Sequence, residues 1–120
     1  MERPFRLQRP RLSENDIEAA CKDLLRTRQW WVSRQQSALV RTPDGRWMRI
    51  GEKGIPDYTV IHKLFPGFLM EVKRPGRDLD PAQVLKIQEL RIGYGLAICV
   101  VDSARALTVW LNEHEKAHRG

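Results

Sequence analysis

The chain has 120 residues, 42% of them hydrophobic and 30% charged, which suits one core and is too short for two domains. Lys and Arg number 21 against 15 Asp and Glu; the net charge of +6 favours a polyanionic partner, nucleic acid or acidic membrane surface, without choosing between them. The longest apolar run, Leu96 to Val101, is far below the ~20 residues that span a bilayer, so no membrane partner is expected.

Residues 1–12 form a basic, proline-containing arm with Arg3, Arg6, Arg9 and Arg11. The arm lacks the apolar stretch of a secretory signal and reads either as a loose terminus or as a phosphate-contacting arm. A single domain is expected over 13–118. Ser13 is a good helix cap with Asp16 as its capping-box partner. Ile17, Cys21, Leu24 and Leu25 then share one face, so a helix is predicted over about 13–27. Trp30 to Val40 reads as a strand, and Thr42-Pro43-Asp44-Gly45 turns the chain so that Trp47 to Ile50 returns as its hairpin partner. Gly51 to Pro56 is a Gly- and Lys-containing loop, followed by strands at Tyr58 to His62 and Gly67 to Lys73.

Asp80-Pro81 starts a second helix, with a buried stripe of Val84, Ile87 and Leu90 that ends at Gly93 and Gly95. Leu96 to Val101 predicts a strand buried on both faces. Asp102-Ser103 caps a last helix with the face Ala104, Leu107 and Leu111, which runs into a polar tail. The order α-β-β-β-β-α-β-α implies an α/β sandwich with a mixed central sheet of about 4–5 strands flanked by helices. Cys21 and Cys99 sit in apolar surroundings and read as reduced core residues, which makes a cytoplasmic protein the plain expectation.

The chemistry concentrates in Gly54-Ile55-Pro56-Asp57 and Glu71-Val72-Lys73. Residues two apart on a strand share a face, so Glu71 and Lys73 emerge together from an otherwise apolar segment while Met70 and Val72 point the other way. If Asp57 opens the neighbouring strand, it meets Glu71 across the pair, and a divalent cation relieves the repulsion between the two carboxylates. Oxygen ligands suit magnesium or manganese. Such a site fits phosphodiester hydrolysis, with the ion polarising the phosphoryl group and Lys73 orienting the attacking water or stabilising charge. The plainer alternative is a salt bridge of Glu71 and Lys73 with neighbours on a solvated sheet face.

Glu18, Gly54-Ile55-Pro56-Asp57, Glu71-Val72-Lys73 and Gln83, the last after Pro75-Gly76 and Leu79-Asp80-Pro81, resemble the VRR-NUC branch of the PD-(D/E)XK nuclease superfamily. The closing Val100-Val101-Asp102-Ser103 is similar to that family's last strand and helix entry. The resemblance runs from about residue 13 to 112 and implies a restriction-endonuclease-like fold. It implies that Asp57, Glu71 and the Val72 backbone carbonyl hold magnesium or manganese, and that Lys73 acts on the attacking water. Glu18 would hold a second metal or a water on the metal, and Gln83 would position Lys73 or the phosphate. Glu14, one turn before Glu18, competes for that role but does not abut the apolar stripe. Asp80-x-x-Gln83 is also a capping-box pattern, which explains Gln83 without catalysis. Stand-alone members of this branch are bacterial or phage-type homodimers, so the resemblance implies a structure-specific endonuclease for branched DNA such as four-way (Holliday) junctions. The alternatives are a nicking or sequence-specific nuclease of the same fold, or a DNA-binding module that does not cut.

Lys53, Arg74, Arg77, Arg46 and Arg49 flank the site in sequence and are candidate phosphate contacts. His114 and His118 have a spacing that binds metal on a helix, but with no third ligand they read as a solvated helix end. Trp30, Trp31, Trp47 and Trp110 read as packing residues before base-stacking ones.

Overall fold

A computed structural model describes residues 12–34, 38–41, 47–50 and 54–119, with backbone only for 38–41 and 47–50. Ser13 opens helix α1 (Glu14–Thr27): its hydroxyl accepts from the Asp16 N–H, and the Asp16 carboxylate accepts from the Ser13 N–H. This reciprocal cap satisfies amides that have no partner inside the helix. The helix ends on Gln29 at φ 66°, with Trp30 N–H donating to the Leu25 carbonyl and Gln29 N–H to that of Arg26. The paired bonds reverse the chain and aim Trp30 back at the helix it has just left.

Six strands are described. Strand β1 (Trp31–Arg34) pairs antiparallel with β4 (Tyr58–Ile61), and β4 pairs antiparallel with β5 (Phe68–Val72). Strand β5 then pairs in parallel with β6 (Ile98–Val101), which completes a mixed sheet in the order β1-β4-β5-β6. A parallel pair needs a crossover, here helix α2 (Pro81–Gln88) continued by a π-helical turn, Glu89–Gly93. Strands β2 (Ala38–Arg41) and β3 (Trp47–Ile50) form a separate antiparallel hairpin. Helix α3 (Ala104–Ala117) closes the chain. The α/β sandwich expected from the sequence is the fold observed.

Tyr58, Val60, Phe68, Met70, Val72, Cys99 and Val101 turn one sheet face toward Ile17, Cys21 and Leu25 of α1 and Leu107 and Leu111 of α3. That layer is the core. Both thiols lie in it free; burial pushes Cys21 up to about 11 and Cys99 up to about 12, so they stay protonated. The other sheet face carries Leu69, Glu71 and Lys73, and Gln83 of α2 reaches Glu71 there. Among the described residues, no helix is long and apolar enough to cross a membrane.

Four details depart from the sequence expectation. The single strand over Trp30 to Val40 is two strands, β1 joining the main sheet and β2 the hairpin. Val84 is exposed, because α2 is short and buries only Ile87. Val100 is exposed, because β6 lies at an edge of the described sheet and one of its faces is open. The last helix does not dissolve into a solvated tail: His114 and Glu115 are both buried. Glu115 accepts from the Trp30 indole N–H at 3.1 Å and from Arg28 at 2.7 Å, and His114 Nε2 donates to the Pro66 carbonyl at 2.8 Å. A buried polar group costs little once its partners are in place.

Candidate active site

Gly54 sits at φ +90°, where side chains are strained. A Cβ there would lie 2.5 Å from the Ala82 carbonyl oxygen, so the loop rests directly on the first turn of α2. Gly54→Ala is therefore expected to cost about 2–3 kcal/mol, by strain and by pushing loop and helix apart. Urea denaturation checks it, and a loss below ~0.5 kcal/mol would mean the loop moves freely.

From Gly54 the chain passes through the buried Pro56 to Asp57 at the start of β4. The β4–β5 register pairs Tyr58 with Met70, which brings Asp57 level with Glu71. Asp57 N–H donates to Glu71 Oε2 at 3.0 Å. The other oxygen, Oε1, accepts from Gln83 Nε2 at 3.1 Å and lies 3.7 Å from Lys73 Nζ. Glu71 is 2% exposed, while Lys73 reaches partly into solvent. Asp57, Glu71, Lys73 and Gln83 are thus brought together from a loop, a strand and a helix. Val72, whose carbonyl belongs to the same expected set, ends β5 between Glu71 and Lys73.

Gln83 forms the capping box that its sequence context suggested, and its side chain also reaches Glu71 rather than Lys73. Its Oε1 accepts from Asp80 N–H at 3.0 Å, and its own N–H donates to Asp80 at 2.9 Å, so the capping box is complete. The amide nitrogen is left for Glu71.

Burial raises Glu71 to about 7, and the Asp57 charge adds to the rise; the Asp57 N–H, Lys73 and Gln83 act against it. A carboxylate held this way is ill at ease when ionised. Two carboxylates with hard oxygen donors fit one divalent cation of the magnesium type, whose charge would reverse that penalty. The sign for stability follows from linkage. The folded protein holds its Glu71 proton to about 7 and the unfolded chain only to about 4.5, so stability contributed at low pH is lost as pH rises through that window. In chelator, wild type is expected to lose on the order of 3 kcal/mol from this source between pH 4.5 and 8. Glu71→Gln should remove that part of the slope; urea unfolding of both proteins at pH 5 and 8 checks it, and parallel slopes would refute it.

No family model matches the chain, and no curated protein matches it. The site stands on its geometry.

Glu18 is buried on α1, as its place beside the apolar stripe suggested; Glu14 is less so. The Glu18 carboxylate lies 3.9 Å from Arg34 and beside the buried Tyr58 phenol. Burial and the neighbouring Glu18 charge push that phenol well above its ordinary value. Lys22 and Arg34 lie over the Tyr58 ring at 5.0 and 5.9 Å. Among the described residues, no three His, Cys, Asp or Glu side chains gather as a metal site, so Glu18 does not join Asp57 and Glu71 in one cluster. Arg34 and Tyr58 went unremarked in the sequence; the one available signal was a tyrosine directly after Asp57.

Arg74 and Arg77 are exposed on the turn after β5. Lys53 and Arg46 lie outside the described residues, as does the Arg49 side chain; so do residues 1–11 of the basic arm and the Trp47 side chain. Trp30 is core, Trp110 stacks on His114 at 4.7 Å, and Trp31 is exposed. His114 is engaged with Pro66, and His118 donates to the His114 carbonyl at 2.8 Å. His114 is buried at the end of α3, whereas His118 stays exposed there.

Proposed function

We propose that this chain is a divalent-metal-dependent endonuclease that hydrolyses DNA phosphodiester bonds, acting as a homodimer on branched DNA such as four-way junctions. The observation that carries the proposal is the convergence on Glu71. A loop bearing Gly-Ile-Pro-Asp, a strand bearing Glu-Val-Lys and a helix bearing Gln83 meet at one buried carboxylate with an ammonium beside it. The resemblance to the VRR-NUC branch and the mixed sheet with its flanking helices are in keeping with this.

Asp57 and Glu71, with the Val72 carbonyl, would hold magnesium or manganese, which when bound supplies Lewis acidity and a more acidic water. Gln83 and the Asp57 N–H fix the orientation of the Glu71 carboxylate before any ligand arrives. Lys73 presents a positive charge where a phosphate would gain negative charge during attack. Glu18, held by Arg34, would act at a distance through water or a second ion. Exposed Arg74 and Arg77 would hold the DNA backbone, a contact that positions without reading sequence. A two-fold dimer would match a two-fold junction.

Labelled four-way junction, flap and linear duplex, incubated with the protein in magnesium and in chelator, test the proposal. Metal-dependent cutting that favours the branched substrates supports it. Equal cutting of plain duplex removes the junction preference. Tight binding with no cutting in magnesium or manganese leaves a DNA-binding module.

A further inference from the structure

Strands β5 and β6 run in parallel and end side by side at Val72 and Val101, tied by the Lys73 N–H donating to the Val101 carbonyl at 2.9 Å. In open α/β sheets the crevice beyond the carboxyl ends of parallel strands is where ligands bind, because the loops there diverge. Here the turn at Arg74 to Arg77, the turn at Asp102-Ser103 and the start of α1 enclose a cleft of about 800 Å³. Its volume lies in the range of ~300–1,000 Å³ that encloses small organic ligands. Leu12 and Pro75 give it apolar walls, with the core residue Ile17 at its base. A smaller depression adjoins it, lined by Lys73 as well as by the same Arg74, Arg77 and Asp102. The proposed reaction centre and the cleft are therefore neighbours across one turn.

Among the described residues, neither Arg74 nor Arg77 has an ion-pair or hydrogen-bond partner for its guanidinium. Two unpaired cations beside Lys73 suit a polyanion. The apolar walls do not suit a duplex backbone, which offers only phosphate and sugar. Asp102 argues further against a plain phosphate pocket, since a carboxylate repels a second phosphate. It accepts hydrogen bonds, and an exocyclic base amine donates them. A phosphate at the arginines, a flat apolar ring against Leu12 and Pro75, and an amine facing a carboxylate are the parts of one nucleotide.

We propose that this cleft holds one unpaired nucleotide of the DNA next to the bond that is cut. The proposal rests on the nuclease reading above and narrows its substrate to branched DNA with an unpaired nucleotide at the branch. A base buried against side chains contributes enough to be measured.

The full-length protein in chelator is titrated into labelled duplexes with a single adenine bulge, with an abasic bulge, and with no bulge. The adenine bulge is expected to bind about tenfold more tightly than the abasic one. Asp102→Ala should narrow that ratio to about threefold, and Arg74→Ala with Arg77→Ala should weaken both bulges alike. Equal affinity of wild type for adenine and abasic bulges overturns the proposal, as does a ratio left untouched by Asp102→Ala. Cleavage of junctions in magnesium is scored separately. Cutting without base discrimination sinks the cleft proposal alone, and discrimination without cutting sinks the nuclease reading and, with it, the placement of the nucleotide beside a bond that is cut.

Discussion

Lys73→Ala is expected to slow magnesium-dependent DNA cleavage by about a thousandfold while leaving DNA affinity in chelator within about threefold. The asymmetry follows from where the ammonium sits. Lys73 Nζ lies 3.7 Å from a Glu71 oxygen whose side chain is almost wholly out of water. Charges in such surroundings interact more strongly than they do at the surface. A phosphate gains negative charge only as the nucleophile closes on it, so this ammonium contributes most at that moment. In the proposed function, ground-state binding would rely on more numerous surface cations such as Arg74 and Arg77. One confounding effect must be separated. Lys73 also holds Glu71 down, and without it the carboxylate would keep its proton to higher pH and hold the metal less well. Measuring rates at pH 7 and again near 9, at saturating magnesium, distinguishes the two. A defect that vanishes at high pH would make Lys73 a positioning residue for Glu71. An equal loss in binding and rate would make it a DNA contact.

Trp30→Ala should destabilise the protein by about 4 kcal/mol, whereas Trp31→Ala next door should cost less than about 0.5 kcal/mol. The two indoles differ in surroundings: Trp30, just before β1, is 2% exposed, and Trp31, which opens it, 56%. Trp30 lies edge-on to Phe68 at 5.1 Å and stacks on Phe65 at 6.0 Å. Its loss opens a large cavity and also deprives buried Glu115 of one of its two donors. A buried acceptor that loses a partner adds to the cavity cost. Urea denaturation of both variants gives the comparison, and similar losses for the two would mean that the core does not centre on Trp30.

Local signals in the sequence were legible wherever one short pattern decided the outcome. Ser13 with Asp16 and Asp80 with Pro81 start helices where their chemistry says helices start, and Asp57, just before β4, lies across from Glu71 as expected if it opened that strand. Tertiary demand decided the rest. Trp30 to Val40 reads as one strand, but which partner each half takes depends on register with segments far along the chain. His114 and His118 look like a solvated helix end. Only the packed structure brings the Pro66 carbonyl, the Trp30 indole and Arg28 to that place, where they need partners. Glu18 was correctly placed on the inner face of α1, yet its companions are Arg34 and Tyr58, which no spacing rule joins to it. The cleft beyond β5 and β6 was invisible because its walls come from three separate turns.

Position 83 carries a chemical demand that is unusually narrow. The side chain must accept from the Asp80 amide at one end and donate to Glu71 at the other. Glutamate would preserve the first contact and turn the second into charge repulsion. Lysine would satisfy Glu71 and abandon the amide, asparagine falls a methylene short, and leucine offers neither. A saturation library at this codon, selected for cutting, should return glutamine nearly alone, because the helix and the reaction centre draw on the two faces of one amide.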